Sequence, residues 1–183
     1  MAVINNYVDA NLAATPAKIG NAALVSGVKV YSAVQSFVIA STDSAASIYR
    51  IFKGIPADAI ILSLKVLNEA VAGVSAGVIG LYNVLDFDGV GAALNSGTEL
   101  CAGFNFSSAN TIASDWVTCL TAPTIANREK QLWELAGQTQ YPIAATSTQT
   151  GPKASAYDIG VKMVSMTTNT AALSFKIEYI RGV

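Results

Sequence analysis

Few side chains in this sequence could carry chemistry. There is no histidine, which removes the usual general base, the Ser-His and Cys-His nucleophilic pairs, and the commonest ligand of transition metals. The densest acidic cluster is Asp86 and Asp88, followed by Gly89. It looks like a fragment of a calcium loop, but the third oxygen ligand at the expected spacing and the closing glutamate are missing. A solvated turn between strands is the simpler reading. The nearby GVGAALNSG stretch is glycine-rich, yet it is neither GxGxxG nor a phosphate-binding loop, since no Lys-Ser or Lys-Thr follows. Cys101 and Cys119 lie 18 positions apart without a CxxC pattern. Two thiols cannot furnish a four-ligand structural zinc site. They read as two partly buried thiols, with a disulfide as the alternative. Trp116 and Trp133, with Tyr31, Tyr49, Tyr82, Tyr157 and Tyr179, are the material for a carbohydrate- or base-stacking platform. Most of the tyrosines fall among apolar strand residues, where packing is the favoured role. No catalytic residue, cofactor-binding residue or metal ligand is therefore assigned, and the expectation is a non-enzymatic protein without a cofactor.

Composition narrows the class further. Apolar residues make up 52% of the 183 and charged ones 13%, far from the composition that keeps chains disordered. The length suits one domain with a real core plus an arm. So little charge leaves few groups to keep an isolated subunit soluble, so burial against partners, including a homo-oligomer (trimer or dimer), is expected. Eleven basic and twelve acidic residues give a net charge of -1; no basic run is present, and nucleic acid binding is disfavoured. The start of the chain lacks a basic segment followed by an apolar core, so no secretory signal is read. Residues 59–85 are apolar, but Lys65, Asn68 and Glu69 interrupt them, and the remainder falls short of the ~20 residues that cross a bilayer. Two strands explain the same residues better, and no membrane association is expected.

The elements that must position these groups are mainly strands. Residues 1–27, rich in Ala and Asn with Pro16 and Gly20, read as an extended N-terminal arm ahead of a β-domain over residues 28–183. Val28 to Ala40 is rich in β-branched and aromatic residues without Gly or Pro, which predicts a long strand that could be buried on both faces. IYRIFK, the turn GIPAD and AIILSLKVLN follow, and the last run places Ile60, Leu62, Leu64 and Val66 on one side. GVIGLYNV predicts a further short strand. Residues 86–110 read as long loops with an apolar patch at Leu100 to Phe106. ANREKQLWELAG predicts one helix of about three turns, capped by Asn127, with Lys130 and Glu134 spaced for an ion pair and Gly137 as its stop. At the C-terminal end, Tyr157, Ile159, Val161 and Met163, then Leu173, Phe175, Ile177 and Tyr179, each alternate with polar or small residues. With the turn-like MTTNTAA between them, these predict a final antiparallel pair. The whole favours a mainly β fold, an antiparallel β-sandwich of jelly-roll type with one short helix and long loops.

The succession VKVYSA, IYRIFKGIPADAIIL, ANREKQLWELAG, YDIGVKM and SFKIEYI resembles the small jelly-roll head decoration, or capsid cement, proteins of tailed bacteriophages, over roughly residues 28–181. The resemblance implies a virion component on the capsid surface, made in the host cytoplasm. Its partner would be the major capsid protein, with trimers or dimers on the lattice and residues 1–27 as an arm. The long middle segment, residues 86–122, departs from the most compact members of that group. Two other roles stay open: a tail, connector or fibre-associated structural protein, and a carbohydrate-binding jelly-roll module using its aromatic residues.

Overall fold

A computed structural model of the chain describes residues 29–41, 43, 47–74, 76–83, 97–112, 114–121, 124, 127–138, 156–167 and 170–181. The chain divides into two units, residues 1–30 and 31–183. Of the first, only Lys29 and Val30 are described, so the expected arm lies outside the described residues, as do Asp86, Asp88 and Gly89.

The described residues form eight strands: β1 (Val30–Ile39), β2 (Ile48–Pro56), β3 (Ala59–Asn68), β4 (Gly77–Asn83), β5 (Cys101–Phe104), β6 (Val117–Thr118), β7 (Ala156–Lys162) and β8 (Ala171–Arg181). One helical turn, α1 (Leu132–Leu135), accompanies them. The strands build two four-stranded sheets, ordered β1-β8-β3-β6 and β2-β7-β4-β5. The pairings β2·β7, β3·β6, β3·β8, β4·β5 and β4·β7 are all antiparallel. Along β1 and β8, Tyr31 stacks on Tyr179 at 5.2 Å between ring centroids and Ser36 bonds Ser174 at 2.8 Å, so these two strands also run in opposite senses. Each strand thus lies beside the one whose number brings the sum to nine. That order arises when one long antiparallel ribbon, with β4 and β5 at its tip, is rolled into two facing sheets, the arrangement of a jelly roll. The expected antiparallel β-sandwich is observed.

The rolled topology overturns one sequence expectation. β7 and β8 do not pair with each other; β7 sits between β2 and β4, and β8 between β1 and β3. The link from Met163 to Thr170 crosses from one sheet to the other, and Met163 and Met166 are buried along the way. Alternating hydrophobicity identifies a strand but not its neighbour, and in a roll the neighbour is set by the ribbon.

β3 departs from the simple alternation read from its residues. The buried set is Ala59, Ile61, Leu64, Val66 and Asn68, while Leu62 is exposed. A register shift between Ile61 and Ser63 against β8 accounts for this. One extra residue moves the remainder of the strand by half a period, so the side chains before and after it reach the core with opposite parity.

The predicted three-turn helix is also shorter. Lys130 donates to the Asn127 carbonyl in a separate turn, and α1 begins only after Gln131. The Glu134 carboxylate accepts the Gln131 amide at 2.9 Å, so it closes the helix start. Gly137, at a φ of 75°, ends it as expected. β5 falls in the apolar patch at Leu100 to Phe106, and β6 in a stretch where the sequence predicts no element; four and two residues leave too short a period to recognise.

The core lies between the sheets and joins Ile51 and Ile55 of β2, Leu64 and Val66 of β3, Ile79 and Leu81 of β4, Tyr157, Ile159 and Val161 of β7, and Phe175 and Ile177 of β8. Phe37 of β1 stacks on Tyr49 of β2 at 5.0 Å, tying the two sheets together at one side. β1 is not buried on both faces. As the outer strand of its sheet it turns Tyr31, Ala33, Phe37 and Ile39 inward, while Val30, Val34 and Val38 stand exposed.

Candidate functional site

The outer face of the second sheet holds the most buried ion pair among the described residues. Arg50 on β2 lies opposite Gly160 on β7, and Asp158 on β7 lies opposite Tyr82 on β4. The Arg50 guanidinium donates to Asp158 at 2.6 Å, with side chains 12% and 1% exposed. The other Asp158 oxygen accepts the Gly54 amide at 2.8 Å. Gly54 has a φ of 63° and falls within the second register shift of β2, between Phe52 and Ile55. A glycine reaches that conformation without a steric penalty, and the bulge turns its amide away from the ladder toward the carboxylate.

A second carboxylate holds the neighbouring loop. Glu99 accepts the Leu81 amide at 3.0 Å and the Gly97 amide at 3.1 Å. This brings the Gly97 carbonyl so close to Gly80 that a Cβ there would lie 2.3 Å from the Gly97 carbonyl carbon. Gly160 is covered in the same way by the Tyr82 ring, 2.8 Å from where its Cβ would be. Burial, then the Glu99 charge, raises the Tyr82 hydroxyl above its ordinary value, while Arg50 opposes the shift. Both oxygens of each carboxylate hold backbone amides or a guanidinium. What this arrangement does chemically is fix strand β2 and the 97–100 loop to the sheet.

At the end of β3, Asn68, only 2% exposed, has a comparable role. Its side-chain amide donates to the carbonyls of Glu69, Phe106 and Ser108, and its backbone pairs with Asn110. It borders a cleft of about 400 Å³ lined by Phe37, Val38, Asn110 and Leu173. On the outer face of the first sheet, Glu178 is held below the usual carboxylate range by hydrogen bonds from Lys176 and Ser63.

The aromatic residues singled out in the sequence are not assembled into a platform. Tyr82 and Tyr157 are buried in the body. Tyr49 and Tyr179 pack against the core and stack on Phe37 and Tyr31. Trp133 packs against the core and donates to Gln131, and Trp116 is half-buried. Cys101 and Cys119 are free and fully buried; Thr121 donates to Cys101 and Cys119 to the Leu64 carbonyl. Among the described residues there is no group of three or more Cys, Asp or Glu side chains placed to hold a metal ion, and no helix is long and apolar enough to cross a membrane. Arg50, Asp158, Glu99 and Asn68 were not singled out by sequence reasoning. The two residues of the Arg50–Asp158 pair stand 108 positions apart, and a single carboxylate in an alternating strand reads as a solvent-facing residue.

No family model matches the chain, and no curated protein is similar to it. Among solved structures, a chain of the cyanophage Pam1 capsid asymmetric unit is similar at 12% identity. The match covers 85% of this chain and 87% of that one, with a TM-score of 0.41.

Proposed function

We propose that this protein is a structural, non-enzymatic virion component that decorates or cements the outside of a phage head, binding the major capsid protein without a cofactor. The observation that carries this reading is the outer face of the first sheet. There Val34, Val38 and Leu62 stand 56%, 61% and 41% exposed, and β1 contributes no charge at all. Exposed valine and leucine side chains on either side of the Lys176–Glu178 pair of β8, on a chain with 13% charged residues, suit a surface completed by neighbouring subunits. The resemblance of the strand succession to head decoration proteins supplies the kind of neighbour. The buried Asp158 and half-buried Glu99 carboxylates hold backbone, which suits a rigid body that must keep its shape under load.

The mechanism is linkage: a partner that binds only the assembled shell adds its binding free energy to the stability of that shell. Purified protein added to undecorated heads is expected to bind in many copies over the head surface and raise the temperature at which the heads disrupt. Heads that gain neither bound protein nor thermal resistance would remove the proposal, and labelling confined to the tail would move the protein there.

A further inference from the structure

We infer that β1 is a self-association edge, through which two copies of this chain join the first sheets of their sandwiches into one continuous antiparallel sheet across a two-fold axis at Val34. The inference does not depend on the virion reading. It starts from the four sheet edges among the described residues. β5 and β6 are four and two residues long, too short to template a partner. β2 carries Lys53, Pro56 and two register shifts. Short length, lysine, proline and bulges are the devices that keep an edge from pairing with another chain. β1 has none of them: it is ten residues, VYSAVQSFVI, without charge, glycine or proline, and among the described residues it ends its sheet.

The occupant follows from the residues themselves. Outward from the sheet, β1 presents Val30, Ser32, Val34, Ser36 and Val38, a row that reads the same in both directions about Val34. In an antiparallel pair, directly opposed residues share a face, and a two-fold interface must be complementary to itself. Centred on Val34, the pairing sets Val30 against the partner's Val38, Ser32 against the partner's Ser36, and Val34 against its own copy. On the inner face Tyr31 meets the partner's Phe37, an aromatic pair, and Ala33 meets the partner's Gln35. No two like charges are opposed anywhere along the strand. Moving the axis to Gln35 would instead oppose valines to serines along the outer row.

Sedimentation of the full chain is expected to show a concentration-dependent dimer. Val34→Lys, an exposed position where the fold should tolerate the change, places two ammonium groups face to face at the axis and weakens the dimer by about tenfold or more. Ile112→Lys, at an apolar site 61% exposed and outside β1, should leave it unchanged. Because the native cysteines are buried, a single engineered thiol reports the register: Val34→Cys is expected to form a disulfide with its own copy under mild oxidation, and Gln35→Cys, whose two copies lie on diagonal positions about 7–8 Å apart, is not. A monomer at every concentration, or an oligomer indifferent to Val34→Lys, overturns the inference; cross-linking through Gln35→Cys as efficient as through Val34→Cys overturns the register. A monomeric chain that still binds heads would leave the virion reading standing without this edge, and a dimer that ignores heads would do the reverse.

Discussion

Asp158 accepts the Gly54 amide at 2.8 Å and the Arg50 guanidinium at 2.6 Å, so one buried carboxylate closes the bulge in β2 and neutralises the cation beside it. Removing that carboxylate takes an acceptor from the Gly54 amide and the nearest counter-charge from Arg50. Asp158→Ala is expected to destabilise the fold by about 2–4 kcal/mol, because a buried cation that loses its closest carboxylate costs more than the pair contributes. Replacing both partners together, as in Arg50→Met with Asp158→Leu, should recover most of the loss. Urea denaturation midpoints of the three proteins check this, and equal losses in the single and double variants would contradict it.

Close packing over the second sheet leads to a second expectation. Gly80→Ala drives a methyl group into the Gly97 carbonyl, whose carbon would lie 2.3 Å away, and should cost about 1–3 kcal/mol through overpacking. Gly103→Ala meets nothing within 4 Å and should stay within about 0.5 kcal/mol of the parent. Thermal unfolding of the pair separates a crowding effect from a general intolerance of alanine in β strands.

The two thiols should be silent until the protein opens. Burial, then the neighbouring Cys101, pushes the Cys119 thiol well above its ordinary value, and the thiolate is the reactive form. A chromogenic disulfide reagent should find no reactive cysteine in the native protein and both after denaturation. Rapid labelling of either in the folded state would argue for local opening around β5 and β6.

Alkaline conditions should unfold the protein through its tyrosines. Tyr157 and Tyr82 are raised above their ordinary value, chiefly by burial. A group whose folded pKa exceeds its unfolded one stabilises the fold below the unfolded value and loses that contribution as the pH climbs toward the folded one. Stability should hold up to about pH 10 and fall above it. Absorbance near 295 nm, followed together with circular dichroism, should show the buried phenols ionising in step with unfolding. Ionisation of all tyrosines well before any loss of structure would refute the assignment.

Much of the fold was legible because long strands carry their own signal. The alternation of Leu173, Phe175, Ile177 and Tyr179 against smaller and polar neighbours reports a face that must meet the core, and β8 obeys it. What escaped was whatever depends on distant partners. Leu62 looks like a core residue until the register shift against β8 turns it outward. Asp158 looks solvent-facing until Arg50 and Gly54 arrive from another strand. The Lys130 and Glu134 spacing fits a helical ion pair, but the carboxylate binds the Gln131 amide instead and the helix starts later. The outer row of β1 was visible as residues, yet only its place at the end of a sheet gives the row a meaning.

The rolled strand order also bears on how the chain comes to be folded. The inner strand β8 separates β1 from β3, and β7 separates β2 from β4, so each sheet is held together through a strand that synthesis delivers late. A nascent chain carrying only β1 to β6 can form β4·β5 and the two-residue β6 contact with β3, and little else. Such long sequence separations give a high contact order, with folding expected on the order of milliseconds to seconds after release. Until β7 and β8 emerge, the apolar strands wait uncovered, and the ribosome-bound intermediate is the stage at which chaperone protection matters most.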